Sequence, residues 1–162
     1  MQEFEILELY DRHSNMVYRI ALSYFRQTQD AEDAVQAVFL KLIEGRGIPE
    51  SGKEKAFLTR ITINYCKDIL RSVWKKRVDP LTDEIVFETK ENQELFDVIM
   101  GLKVKYRVVI YMHFYEGYTF SEIADFLEIS TSAVSMRIHR AKKLLKNTLR
   151  EDDNEIQLQT NI

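Results

Sequence analysis

The sequence predicts an all-α protein: two small helical domains joined by a short acidic linker, the second a helix-turn-helix of winged-helix-like type without a wing. Three observations lead there. Apolar side chains recur at helical spacing through most of the 162 residues, and no stretch reads clearly as a strand. Helix-start chemistry recurs as well, with Ser51 three residues before Glu54 and Thr119 three before Glu122. Charge, finally, comes in blocks. Lys53, Lys55, Arg60, Lys67, Arg71, Lys75, Lys76 and Arg77 crowd one segment, and Asp79, Asp83, Glu84, Glu88, Glu91, Glu94 and Asp97 fill the next. Cations return with Arg137, Arg140, Lys142, Lys143, Lys146 and Arg150. The reversal of sign marks a spacer, which gives domains at 1–77 and 92–150, a linker at 78–91 and an acidic tail at 151–162.

Taken in order, residues 4–25 place Phe4, Leu7, Tyr10, Val17, Ala21, Leu22 and Phe25 at helical spacing. Ser14-Asn15 offers a cap that would divide this segment into two helices. Thr28 to Asp30 is a break. Asp30 to Glu44 then forms a helix with Ala34, Val35, Val38, Phe39 and Leu42 inward, stopped by the glycines and proline of residues 45–49. The Ser51/Glu54 capping box opens a long helix or helix pair reaching about Lys76, with Phe57, Leu58, Ile61, Tyr65, Ile69 and Val73 as its apolar stripe. Asn64 gains a helix little and either marks a bend or faces outward. Ile85, Val86 and Phe87 form a short apolar patch in the linker. A helix from about Asn92 ends at Met100, and Val104 to Tyr115 offers Val108, Val109, Met112 and Tyr115 to a core.

Thr119 to Lys146 is the most informative stretch. Ile123, Ala124 and Leu127 share one helical face, and Val134, Ile138, Ala141 and Leu145 continue the stripe beyond a tight break at Ile129. Thr119 with Glu122 forms a capping box, and Ser130 is an N-cap for the second helix. Two short helices at a steep angle, the second exposing Ser, Thr and Arg, describe a helix-turn-helix that reads a DNA major groove. An ordinary helical hairpin is the alternative.

The formal net charge of −3 is unusual for a nucleic-acid binder, but its distribution is not. Two basic blocks around an acidic spacer suggest two nucleic-acid surfaces. No run approaches the roughly 18 apolar residues of a membrane span. The amphipathic, acidic start MQEFEILELYDRH is no secretory signal, so a cytoplasmic protein is expected. The single cysteine, Cys66, cannot form an internal disulfide and reads as a small buried hydrophobe. His13, His113 and His139 lack metal-ligand spacing; His139 lies in the basic helix, and the other two read as solvated or core residues. No phosphate-cradling glycine loop, nucleophile elbow or HExxH pattern is found. The expectation is a protein that is not an enzyme, with no cofactor and no metal.

The segment FLTRITINYCKDILRSVWKKR interleaves Phe57, Tyr65 and Trp74 with Arg60, Lys67, Arg71, Lys75, Lys76 and Arg77. Cations attract phosphate, and aromatic faces stack on unpaired bases at about 1–3 kcal/mol per base. The alternative is an amphipathic helix with aromatics in the core and solvated charges. Beside a helix-turn-helix, DNA binding is favoured.

YRIALSYFRQTQDAEDAVQAVFLKL, FLTRITINYCKDILR and LKVKYRVVIYMHFYEGYTFSEIADFLEISTSAVSMRIHRAKKLLK, in that order, resemble an extracytoplasmic-function (ECF) sigma factor of the bacterial sigma-70 family. The joint occurrence of DAEDxxQxxF, RIxxNxxxDxLR and EIAxxLxIS carries the resemblance. It implies a factor that directs core RNA polymerase to promoters, reads their −35 and −10 elements and helps melt the −10 region. The implied partners are the clamp of the β′ subunit, the flap of the β subunit, promoter DNA and an anti-sigma factor, without membrane insertion by this chain. By position, Asp33, Gln36 and Phe39 would meet core polymerase, although Phe39 also reads as a core residue. Arg60, Asn64, Tyr65, Lys67, Arg71, Trp74 and Lys75 would meet −10 DNA, with Asn64 in the pocket for a flipped base. Ser130, Thr131, Ser132, Ser135, Arg137, Arg140 and Lys143 would meet the −35 duplex.

Some positions depart from the family pattern. Glu128 stands where glycine is usual, so a left-handed backbone there would cost about 1 kcal/mol. Ser135 replaces a frequent Lys or Arg, Lys103 a frequent Pro, and Phe57 a usual Trp. These bear on promoter sequence rather than class. Two other readings compete. A stand-alone helix-turn-helix regulator would use its first domain to sense a ligand or dimerise, which leaves RITINYCKDILR unexplained. A protein-binding helical adaptor would show no salt-dependent DNA affinity.

Overall fold

The structure, a computed structural model, describes residues 2–45, 49–76 and 94–160. The expected linker at 78–91, with its Ile85-Val86-Phe87 patch, lies outside the described residues. The chain divides into two compact units, Met1–Thr82 and Asp83–Ile162, and the described residues contain helices and no strand.

The first unit packs α1 (Gln2–Phe25), α2 (Thr28–Ile43) and α3 (Glu54–Lys76) against one another. α1 runs unbroken through Ser14-Asn15, so the cap expected there is not used. Its inward face is Ile6, Leu9, Met16, Val17, Ile20, Ala21 and Tyr24, whereas Phe4, Leu7 and Tyr10 are exposed. Because the helix is continuous, its phase is set by Val17 and Ile20. Three turns span about 11 residues, and counting back from that pair lands on Ile6 and Leu9.

The break before α2 falls at Arg26-Gln27 rather than at Thr28 to Asp30. Arg26 takes a left-handed φ of 67°, and the N-cap Gln27 makes no side-chain capping bond. Ala34, Val35, Val38, Phe39 and Leu42 are buried as expected, and fully buried Ala31 and Ala34 let the neighbouring helices approach closely.

The Ser51/Glu54 box does not form. α3 begins at Glu54, whose carboxylate instead accepts the Gly52 N–H at 2.9 Å. The core face of α3 is also rotated from the expected stripe. Leu58, Thr59, Thr62, Ile63 and Cys66 are buried, while Ile61 and Tyr65 are half-buried and Ile69 is exposed. Two threonines can face the core because each hydroxyl bonds one turn back. Thr59 Oγ1 donates to the Lys55 carbonyl at 2.8 Å, and Thr62 Oγ1 to that of Leu58 at 2.6 Å.

The second unit contains α4 (Glu94–Met100), α5 (Val104–Ile110), α6 (Phe120–Leu127) and α7 (Thr131–Thr160). α5 continues into one π-helical turn, Tyr111–Tyr115, in which the Glu116 N–H reaches the Tyr111 carbonyl at 3.2 Å. That wider turn carries Tyr115 out of the expected core to 57% exposure, while Met112 stays buried. α4, α5 and α6 all pack on α7. The long helix also carries the backbone of the acidic segment as far as Thr160.

One core member was not foreseen. Arg107 is only 3% exposed, and its Nη1 donates to the carbonyls of Met100 at 3.3 Å and Leu102 at 3.0 Å. The guanidinium thereby closes the C-terminal end of α4, where carbonyls lack intrahelical partners.

Candidate nucleic-acid interface

In α3, the residues that hold the helix in place and those that face outward separate cleanly. Leu58, Thr59, Thr62, Ile63 and Cys66 anchor it. Arg60, Asn64 and Arg71 are exposed and Lys67 half-buried. Their spacing of four, three and four residues lines them up along the opposite face. Asn64 faces outward on an unbroken helix rather than marking a bend. Arg71 lies 4.0 Å from Asp68, a surface pair that holds it only weakly.

Tyr65 flanks this stripe. Burial pushes its phenol above the ordinary range, and Lys41 Nζ of α2 sits 5.5 Å from its ring centroid. Phe57 is half-buried. Trp74 and Lys75 fall on the last turn of α3, but their side chains lie outside the described residues. Cys66 is on the anchoring side, where burial pushes its thiol well above the ordinary range.

On α2, Asp33 and Gln36 are exposed, and Asp33 accepts a 3.2 Å hydrogen bond from Gln29. Phe39 is different. It is 5% exposed and meets the Tyr10 ring edge-on at 5.0 Å, so it holds α1 against α2 and presents little surface to a partner. Of the two readings the sequence allowed for Phe39, core residue and polymerase contact, this burial favours the core one. Sequence reading missed Leu40 and Ile43, which are exposed in line with Gln36. The available signal was that both are apolar yet fall outside the stripe of buried residues.

The helix-turn-helix is assembled by its caps. Thr119 Oγ1 accepts the Glu122 N–H at 3.1 Å, and the Glu122 carboxylate accepts the Thr119 N–H at 3.1 Å. Glu128 ends α6 in the left-handed region, with φ 56° and ψ 44°. Ser130 Oγ then accepts the Ala133 N–H at 3.0 Å and starts α7.

Val134, Ile138 and Ala141 bury one side of α7. Opposite them, at spacings of four, three and four, stand Ser132, Met136, His139 and Lys143, all exposed. Ser130, Thr131, Ser135 and Arg140 are exposed beside this row, and Arg137 is half-buried at its flank. The Arg140 guanidinium beside the Tyr106 hydroxyl of α5 holds that phenol below its ordinary range. Met136 was missed by sequence reading, which looked for polar and cationic groups. His113, by contrast, is structural: its Nδ1 lies 2.8 Å from the Tyr118 carbonyl and its ring packs on Phe114 and Phe120.

Among the described residues no group of three His, Cys, Asp or Glu side chains could hold a metal ion, and no helix is long and apolar enough to cross a membrane.

Two family models match the chain: Sigma-70 region 2 over residues 9–76, and Sigma-70, region 4 over residues 92–145. RNA polymerase sigma factor SigV of Bacillus subtilis (strain 168) is 29% identical over 147 residues, covering 87% of this chain and 89% of SigV. RNA polymerase sigma factor CarQ of Myxococcus xanthus is 28% identical over 159 residues, covering 92% and 91%. Among solved structures, the sigma factor RpoE of Bartonella quintana, in complex with the anti-sigma factor NepR, shares the fold with a TM-score of 0.72. The identity is 18%, over 93% of this chain and 98% of that one. CnrH, in complex with the cytosolic domain of CnrY, gives a TM-score of 0.60 at 23% identity, over 91% and 88%.

Proposed function

The chain belongs to the ECF branch of the sigma-70 family, as an RNA polymerase sigma factor directing promoter-specific transcription, and we propose that its two helical surfaces divide that work. The outward stripe of α3 reads the −10 element. Arg60, Lys67 and Arg71 meet phosphates, Asn64 lines the pocket for a flipped base, and Tyr65 offers a face for stacking. Trp74 and Lys75, next along the sequence, are assigned to the same −10 DNA by their residue type. The N-terminal turns of α7 enter the major groove at −35, where Ser130, Thr131, Ser132 and Ser135 approach the duplex and Arg137, Arg140 and Lys143 approach its phosphates. Asp33 and Gln36 of α2 dock on the clamp of β′, and the second unit rests on the flap of β.

In this reading the protein performs no chemistry of its own and works in the cytoplasm, where polymerase is. An anti-sigma factor is its further partner, a view supported by RpoE and CnrH, whose structures hold NepR and the cytosolic domain of CnrY.

The observation that carries the proposal is the aligned Arg60, Asn64, Lys67 and Arg71 row, in the same chain as a capped helix-turn-helix. A stand-alone regulator leaves that row without a role. The test is transcription of genomic fragments by core polymerase reconstituted with this protein. Initiation at discrete promoters is expected, and none from any fragment would refute the function. Asn64→Ala should weaken −10 dependence while core binding stays intact; loss of core binding would overturn the placement of Asn64. Tight operator binding without polymerase would favour the regulator.

A further inference from the structure

One side chain on the outer face of α7 fits neither phosphate attraction nor polar base reading. Met136 is 54% exposed and stands on the side opposite Val134, Ile138 and Ala141. Ser132, Ser135, His139 and Arg140 surround it on that face, all exposed. Met136 therefore belongs neither to the core nor to an apolar patch. It is within the first two turns after the Ser130 cap, the part of a recognition helix that reaches base edges.

A thioether is unbranched, flexible and polarizable, and it donates no hydrogen bond. The major groove offers such a group one apolar feature, the C5 methyl of thymine. Cytosine presents an amino donor instead, which a thioether leaves poorly satisfied. Ser132 and Ser135 are short, so they let the helix sit close and the longer Met136 reach the floor of the groove. Resting on the −35 reading above, we propose that Met136 is a specificity-determining residue that selects a thymine methyl in the −35 element.

The test uses polymerase holoenzyme, below saturation, on a promoter recovered from the genomic transcription assay. The −35 thymines are replaced by deoxyuridine, which removes the methyl and keeps the pairing. Open-complex formation by the wild type should fall about fourfold, the worth of one buried methyl group. Met136→Ser should respond equally to thymine and uracil and, because Met136 is exposed, melt with the wild type. Equal wild-type rates on the two templates, an undiminished ratio in Met136→Ser, or a −35 element without thymine would each overturn the assignment. Those outcomes leave −35 dependence intact. If scrambling the whole −35 element has no effect, the parent reading fails and the Met136 assignment with it.

Discussion

Glu128→Gly should stabilise the second unit, and the magnitude follows from one backbone angle. Glu128 adopts φ 56° and ψ 44° at the end of α6. A left-handed conformation costs an L-residue roughly 1–2 kcal/mol, through crowding of Cβ against the carbonyl oxygen. Glycine lacks that cost but loses more chain entropy on folding, about 0.5–1 kcal/mol. The carboxylate also stands at the negative end of a helix dipole, where removing it returns about 0.3 kcal/mol or more. The net expectation is a gain of about 1 kcal/mol, or a rise of about 4–8 °C in the melting temperature of a unit this small. Calorimetry on the full chain would read it as an upward shift of one transition. Glu128→Ala is the control, since it removes the charge and keeps the left-handed strain. It should recover only the smaller, electrostatic part. A Glu128→Gly protein that melts with or below the wild type would refute the strain argument.

Arg107→Met should cost about 3–6 kcal/mol, because two charge-assisted bonds at roughly 1.5–3 kcal/mol each are lost from buried carbonyls. Calorimetry should show the second unit's transition lost or strongly lowered and the first unit's unchanged. Cys66 should be silent to a thiol reagent in the folded protein and react stoichiometrically in concentrated urea, since burial both shields the sulfur and raises its pKa. His13 has its pKa lowered by burial, which outweighs the opposing pull of Glu54, with Arg12 and Lys55 lowering it further. The neutral ring is thus favoured by folding, so its contribution is intact at neutral pH and is lost as pH falls through the unfolded value of about 6.5. Between pH 7.5 and 5.5 the wild type should lose more thermal stability than His13→Gln, and equal losses would refute the assignment.

The helix-turn-helix was legible because its determinants are local. Thr119, Glu122 and Ser130 act on backbone groups within three residues of themselves, and Glu128 stands where the chain must turn left-handed. The charge blocks were legible for the same reason. The phase of the long helices was not. In α1, Phe4 and Leu7 compete with Ile6 and Leu9 for the inward side, and only the continuity of the helix through Ser14-Asn15 decides between them. In α3 the deciding residues, Thr59 and Thr62, look polar until their hydroxyls are seen bonding one turn back. Arg107 is the same problem in stronger form: a charge becomes a core residue because α4 ends where its guanidinium can reach the carbonyls.

Met136 shows the converse case, an apolar residue outside the core. An apolar residue in a periodic sequence is assigned to the core by default, or ignored when it falls between core positions. Its meaning appears only after Val134, Ile138 and Ala141 fix which side of α7 is inward, because only then is Met136 seen to point directly away from them. The proposed DNA-facing sides of α3 and α7 are thus both defined by subtraction. What packing does not use is what the proposal turns toward DNA, and in each helix that remainder is a row spaced four, three and four residues apart.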